Sequence, residues 1–279
     1  MSAVISRLLL YPVKGCRGLA LRSVRLAPTG LALGDIGDRE WVVVDDQGEF
    51  LSQRELPRMA LIETKLGSTA LRLSAPGMPT LDIPFESAGD VMRVRVWDDE
   101  LDGLAQGELA DRWCTDFLGH KARLIRFDAR ARRLSQRRYT GATAAPYKFA
   151  DAFALLVTSE GSLADVNKRL HAKGQAPVDI DRFRPNIVID GVDRFEEDYA
   201  RELRIGDAVL ELVKPCVRCT VPSVDPTTGE QGTEPGDTLA VYRNNSAAGG
   251  VTFGMNAIVA RGAGTELRVG DPVELTLRF

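Results

Sequence analysis

Lys214-Pro215-Cys216-Val217-Arg218-Cys219-Thr220-Val221-Pro222-Ser223-Val224-Asp225-Pro226-Thr227-Thr228-Gly229-Glu230 is the stretch on which the reading of this chain turns. It follows Val209–Val213, a run in which apolar and polar positions partly alternate, as on a half-buried strand. Three prolines punctuate it. Proline lacks an amide donor and fixes φ, so the stretch is predicted to be a shaped loop, neither helix nor central strand. Asp225-Pro226-Thr227-Thr228-Gly229 reads as a turn. Such a stiffened loop at a strand end can hold one soft ligand in a fixed direction.

Two of the four cysteines, Cys216 and Cys219, flank Arg218 here. The guanidinium is always charged and favours thiolate over thiol, and thiolate is the form that attacks and binds metal. The spacing leaves four readings open: a redox pair, half of a zinc site, a loop in which one sulfur matters, or two structural cysteines. Zinc needs four ligands, usually from two such pairs, and only Cys16, Cys114, His120 and His171 remain, scattered singly. A thioredoxin-like pair opens a helix, which Pro222 and Pro226 oppose.

The chain has 279 residues, enough for two modest domains or one large one. Its 36 basic and 39 acidic side chains leave a net charge of −3, which gives no global case for nucleic acid or a membrane surface. Four cysteines in this length suit a reducing cytoplasm better than a disulfide scaffold. Leu8-Leu9-Leu10, ended by Pro12 and Lys14, is too short for a signal core or a span. A soluble, cytoplasmic protein is the expectation.

Residues 1–125 read as short strands and turns. Trp41–Val44 precedes the polar turn Asp45–Gly48, a hairpin signal, and Leu71–Leu73 and Val91–Trp97 follow, the latter alternating with period two. A helix is predicted over Leu109–Leu118, with Leu109, Trp113 and Phe117 sharing its buried face with Ala110 and Cys114. Arg130, Arg132, Arg133, Arg137 and Arg138 form a basic cluster, read as a solvated connector or as a docking patch for an acidic electron-transfer protein. Ala154–Val157 and Ile187–Ile189 are core strands, with a helix between them capped by Ser159 or Ser162 and burying Leu163, Val166 and Leu170. Leu203–Val209 and Leu267–Val273 echo each other as strand, Gly-Asp turn and strand, two hairpins that suggest a closed barrel. No dinucleotide or phosphate-loop fingerprint appears, and the cysteines lack plant-type iron–sulfur spacing.

The loop resembles the signature of MOSC-domain proteins in Lys214-Pro215-Cys216, Arg218-Cys219-Thr220, Ser223-Val224-Asp225-Pro226 and Thr228-Gly229. Tyr11-Pro12-Val13-Lys14-Gly15, Gly37-Asp38-Arg39-Glu40-Trp41, Gln53-Arg54-Glu55-Leu56-Pro57-Arg58 and Arg182-Phe183-Arg184-Pro185-Asn186-Ile187 fall in the same family order. The relatives so indicated are the YcbX-like proteins and the mitochondrial amidoxime-reducing components. The resemblance implies a mainly β protein with a few helices (α+β). A β-rich N-terminal domain would cover 1–125, its first strands (about 1–40) available to complete the barrel, and a MOSC β-barrel would cover 126–279. It implies a molybdenum–molybdopterin cofactor with Cys219 on the metal. Lys14, Gly15, Arg39, Arg184, Asn186 and Arg218 would stand around the cofactor, because its phosphate and polar pterin edge call for cationic forks and amides. Without the resemblance, Arg184 reads as a barrel-rim salt bridge and Lys14 as an ordinary solvated lysine. Val217 and Gly15 stand where relatives often carry serine, and Asn256 near a tyrosine, so no role is transferred for those side chains. Asp225, the nearest acid after the ligand, reads as a turn former or a proton relay.

The implied activity is reduction of small N-hydroxylated compounds: hydroxylamines, amidoximes and N-hydroxylated bases. The ferredoxin domain that many YcbX-like relatives carry has no counterpart here. The expected donor is therefore a separate protein, a ferredoxin or a flavoprotein reductase. Two rivals share the loop: a sulfur carrier with a persulfide on the cysteine, and a non-catalytic carrier of the cofactor.

Overall fold

The structure, a computed structural model, describes residues 3–87 and 89–278. Seven strands close into a ring. Leu155–Ser159 lies parallel to Ile187–Asp190, which pairs antiparallel with Ala3–Leu10. The ring continues through Pro272–Leu277, Ala200–Ile205, Ala208–Val217 and Gly250–Arg261, and Gly250–Arg261 returns to Leu155–Ser159. The one parallel pair needs a crossover, and the helix Glu160–Ala172 supplies it. That helix starts as expected: Ser159 accepts from the Ser162 amide, and Leu163, Val166 and Leu170 are buried.

Period-two spacing turns one face of each strand inward. Ile187 and Ile189, Leu203 and Ile205, Leu210 and Leu212, and Met255 and Ala257 meet in a single core. Gly254, with φ of +77°, lies where the last seam closes; a Cβ there would stand 2.7 Å from Thr158 Cγ2 and 2.8 Å from the Val157 oxygen. The expected mainly β fold with a closed barrel is present.

Around the barrel the N-terminal half curls into smaller sheets. Val91–Val96, Asp99–Ala105, Arg123–Phe127 and Trp41–Val44 form one antiparallel sheet, and Glu63–Leu66, Ala70–Ser74 and Leu81–Pro84 another. The helix Glu108–Leu118 packs on them and ends at Gly119 in the left-handed conformation. Cys114 is in its buried face, but Leu109 is 71% exposed. The buried set is Ala110, Trp113, Cys114, Phe117 and Leu118, so the apolar stripe is centred away from Leu109.

Three expectations need correction. Pro215 does lie in a strand: Ala208–Val217 runs through it, and register shifts between Leu212 and Lys214 and between Pro215 and Val217 bracket it. Bulge-like slips of that kind tolerate a residue without an amide donor. The second echo is no hairpin. Glu266–Arg268 pairs with Ser23–Ala27, while Pro272–Leu277 joins the barrel, so the Gly270-Asp271 turn hands the chain from one sheet to another.

The third concerns the arginine cluster, which is no uniform solvated patch. Arg130 is exposed beside Asp128, but Arg133 is buried. Arg133 donates to Asp99 Oδ2 at 2.7 Å and to the Lys148 and Ala150 carbonyls at 2.7 and 2.9 Å. Arg133→Ala should therefore lower unfolding stability by roughly 2–3 kcal/mol. Arg137→Ala, on the exposed side, should stay within about 0.5 kcal/mol. Urea unfolding of the two variants checks this, and equal stabilities would return Arg133 to the solvated connector.

Candidate functional site

Backbone pairing explains why distant sequence motifs converge. Tyr11–Gly15 leaves the barrel strand Ala3–Leu10 and runs beside Arg39–Trp41: the Arg39 amide donates to the Tyr11 carbonyl, the Trp41 amide to Pro12, and the Lys14 amide to Trp41. Gly15 then takes a φ of +83°, and its Cβ position is filled by Met59 Cε at 2.8 Å. From the other side, a short 3-10 turn over Ile180–Phe183 ends at Arg184 in the left-handed conformation. Pro185 and Asn186 then lead into Ile187–Asp190. Lys14, Gly15, Arg39, Arg184, Asn186, Arg218, Cys216 and Cys219 thus line one cleft at the barrel end.

Among the described residues only Arg39, Trp97, Arg184 and Phe195 combine a side chain beyond glycine with a positive φ. Three of these four line the cleft, where strain is tolerated when surrounding contacts over-determine it.

The cations are held by the protein but not all satisfied. The Arg39 and Arg184 guanidinium carbons lie 4.3 and 4.4 Å from the ring centre of buried Tyr11. Arg39 pairs with buried Asp38 and donates to Asn186 Oδ1 at 3.2 Å. Arg184 Nη1 donates to the Cys16 carbonyl at 2.7 Å, whereas its Nη2 is buried without a partner. Among the described residues no carboxylate pairs with Arg184, and burial pulls its guanidinium below its usual pKa. Arg218 donates to Cys216 Sγ at 3.0 Å and to the Phe183 carbonyl at 2.9 Å; its Nε is likewise buried and unpartnered. Lys14 Nζ meets Asp151 Oδ1 at 2.5 Å, and burial lowers its pKa against the opposing charge of Asp151. Buried N–H groups with no acceptor are rare in folded proteins. Two of them on neighbouring arginines fit an anionic, oxygen-rich ligand.

The sulfurs differ. Cys219 is exposed in the cleft wall, and Cys216 beside it is partly covered. Cys16 and Cys114 are buried, and burial pushes the Cys16 thiol up to about 12 and the Cys114 thiol higher still. Among the described residues no three His, Cys, Asp or Glu side chains gather into a metal cage.

Two family descriptions match this sequence: the MOSC N-terminal beta barrel domain over residues 2–121 and the MOSC domain over residues 144–274. The chain belongs to the MOSC-domain family. Mitochondrial amidoxime-reducing component 1 of Homo sapiens is 35% identical over 282 residues, 97% of this chain and 82% of the relative. Mitochondrial amidoxime reducing component 2 of Rattus norvegicus is 34% identical over 287 residues, 96% and 82% of the two chains.

The cleft of this MOSC protein draws on both matched segments. Lys14, Gly15, Arg39 and Trp97 come from the first; Asp151, Arg184, Asn186, Arg218 and Cys219 from the second. Asn186 spends its amide on the chain. Its Oδ1 accepts from Arg39 and from the Leu156 amide, and its Nδ2 donates to the Leu9 carbonyl. It ties Arg39 to the barrel wall. Asp225 is not part of the cleft wall. It accepts from the Thr227 and Thr228 amides at 2.7 and 3.2 Å and from Arg182 at 2.9 Å. Those amides, and the Arg182 charge, hold its carboxyl below the usual range against partial burial, which suits a turn former and not a proton relay. Phe50, Trp97 and Asp151 line the cleft but were missed in the sequence. Trp97 alone left a signal, a large aromatic at the tip of an alternating strand; Asp151 left none.

Proposed function

We propose that this protein is a molybdenum-cofactor-dependent reductase of N-hydroxylated compounds, supplied with electrons by a separate protein. The observation that carries the reading is the pair of unsatisfied buried N–H groups on Arg184 and Arg218, two arginines of the cleft that the exposed Cys219 also lines. Relatives named for amidoxime reduction, at 34% and 35% identity, support it. Lys14, Arg39, Arg184 and Arg218 would hold the phosphate and pterin oxygens of molybdopterin, and Cys219 its metal. When bound, that group supplies the two-electron chemistry that removes oxygen from an N–OH bond.

The protein's own part is binding and orientation. Arg39 is fixed before any ligand arrives, by Asp38 and Asn186, and Arg218 by the Phe183 carbonyl. Preset donors lose little entropy on binding. Among the described residues Asp151 is the one carboxylate of the cleft wall, and its Oδ1 is already shared between Lys14 and the Trp97 indole.

Protein made in cofactor-competent cells should carry about one molybdenum per chain. It should reduce benzamidoxime with a reduced viologen and stay idle with NADH alone, since the sequence holds no dinucleotide fingerprint. Metal without viologen-driven turnover would leave a cofactor carrier, sulfane sulfur without metal a sulfur carrier. Turnover on NADH would mean a further redox group.

A further inference from the structure

Trp97 occupies a position that its neighbours do not explain. Val96 pairs with Asp99, so Trp97 and Asp98 make a two-residue hairpin turn. Trp97 is its first residue and has a φ of +59°. Glycine is the ordinary occupant of a positive-φ turn position, and a bulky side chain there is strained. The indole also gains little burial. It is 45% exposed, against 0% for Trp41 and 5% for Trp113. Strain and exposure together make this residue costly to the fold.

The ring is nevertheless held in place. Its Nε1 donates to Asp151 Oδ1 at 2.8 Å, the same oxygen that meets Lys14. Its centroid is 5.1 Å from that of Phe50, and the Arg54 guanidinium carbon lies 4.5 Å from it and 5.7 Å from Phe50. All three side chains line the cleft. Two rings and a planar cation thus form a shelf on the cleft wall, one carboxylate away from Lys14.

We propose that the shelf of Phe50, Arg54 and Trp97 is the substrate platform of this site, selecting flat aromatic N-hydroxy compounds over small ones without a ring, such as hydroxylamine. The inference rests on the reductase reading. A planar aryl amidoxime can stack on ring and guanidinium faces and keep its N–OH end toward Cys219; hydroxylamine has no face to offer. The shelf therefore lowers KM for the aromatic class and does nothing for the small one.

The test uses cofactor-loaded wild type, Trp97→Gly and Trp97→Phe with a viologen reductant. Trp97→Gly suits the positive φ, so loss of fold is not the expected confounder. The ratio of kcat/KM for benzamidoxime to that for hydroxylamine should fall about tenfold in Trp97→Gly, through KM, the size of a lost aromatic contact. Trp97→Phe should restore most of it, and molybdenum content should stay at the wild-type level. Equal losses on both substrates, or lower molybdenum in Trp97→Gly, would overturn the proposal, the latter by assigning the shelf to the cofactor. If wild type reduces neither compound, the reductase reading fails and binding decides the shelf separately. Benzamidoxime should quench wild-type tryptophan emission and leave Trp97→Phe unquenched; quenching absent from wild type, or equal in both, overturns it.

Discussion

Replacing Cys219 by alanine is expected to abolish viologen-driven reduction of benzamidoxime, while Cys216→Ala keeps most of the activity. The two thiols stand three positions apart but in different settings. Cys216 lies within the strand Ala208–Val217, and its sulfur accepts from Arg218 Nη1 at 3.0 Å. Cys219 lies past the strand end, exposed in the cleft wall. The exposed Cys219 sulfur is free to bind metal; the Cys216 sulfur, already accepting from Arg218, serves to steady that guanidinium. Removing Cys216 costs Arg218 one acceptor while the Phe183 carbonyl still holds its guanidinium, so activity should fall by no more than about twofold, through slightly weaker cofactor retention. Cys216→Ser, which keeps an acceptor near Arg218, should recover it. Equal loss of activity from both alanine variants would instead favour a redox pair.

What could be read in the sequence follows from the range of the interactions involved. Period-two spacing within single strands, as at Leu203 and Ile205, is local and was legible. So was the cap of the helix Glu160–Ala172, whose Ser159 acts on a residue three positions on. The closure of the barrel by Ala3–Leu10 was expected from the family resemblance alone: it depends on pairing with Ile187–Asp190 and Pro272–Leu277, and nothing within those eight residues specifies partners so distant. Arg133 looked solvated for the same reason: Asp99 and the Lys148 and Ala150 carbonyls, which bury it, belong to other parts of the chain. Pro215 shows the reverse case. The local rule against proline in a central strand is sound, but bulges around it relax the ladder it would break. In the cleft, Lys14, Gly15, Arg39, Arg184, Asn186, Arg218 and Cys219 were found through motifs of a known family, whereas Phe50, Trp97 and Asp151 lie outside those motifs and emerge only from geometry.

Arg184→Ala should strip the cofactor without unfolding the protein. Arg184 combines three costs: a positive φ of 57°, a buried Nη2 without an acceptor, and a charge with no carboxylate partner among the described residues. A cation left unsatisfied inside a protein opposes folding, and an anion that accepts from it removes that cost on binding. Its contacts with the fold, one bond to the Cys16 carbonyl and the stack on Tyr11, are modest by comparison. Truncation should therefore leave the cofactor-free protein about as stable as before in urea, within roughly 1 kcal/mol. The same change removes a charge-assisted donor to the cofactor, worth about 1.5–3 kcal/mol, or roughly 10–150-fold in affinity. Arg184→Lys keeps the charge without the planar fork and should retain an intermediate amount. Arg184→Gly relieves the backbone as well, so it should match Arg184→Ala in cofactor content while being no less stable. The measurements are molybdopterin and molybdenum per chain, alongside the unfolding midpoint of the cofactor-free protein. Full cofactor content in Arg184→Ala would sink the assignment. A large drop in the midpoint would mean that Arg184 serves the barrel rim and not the cofactor.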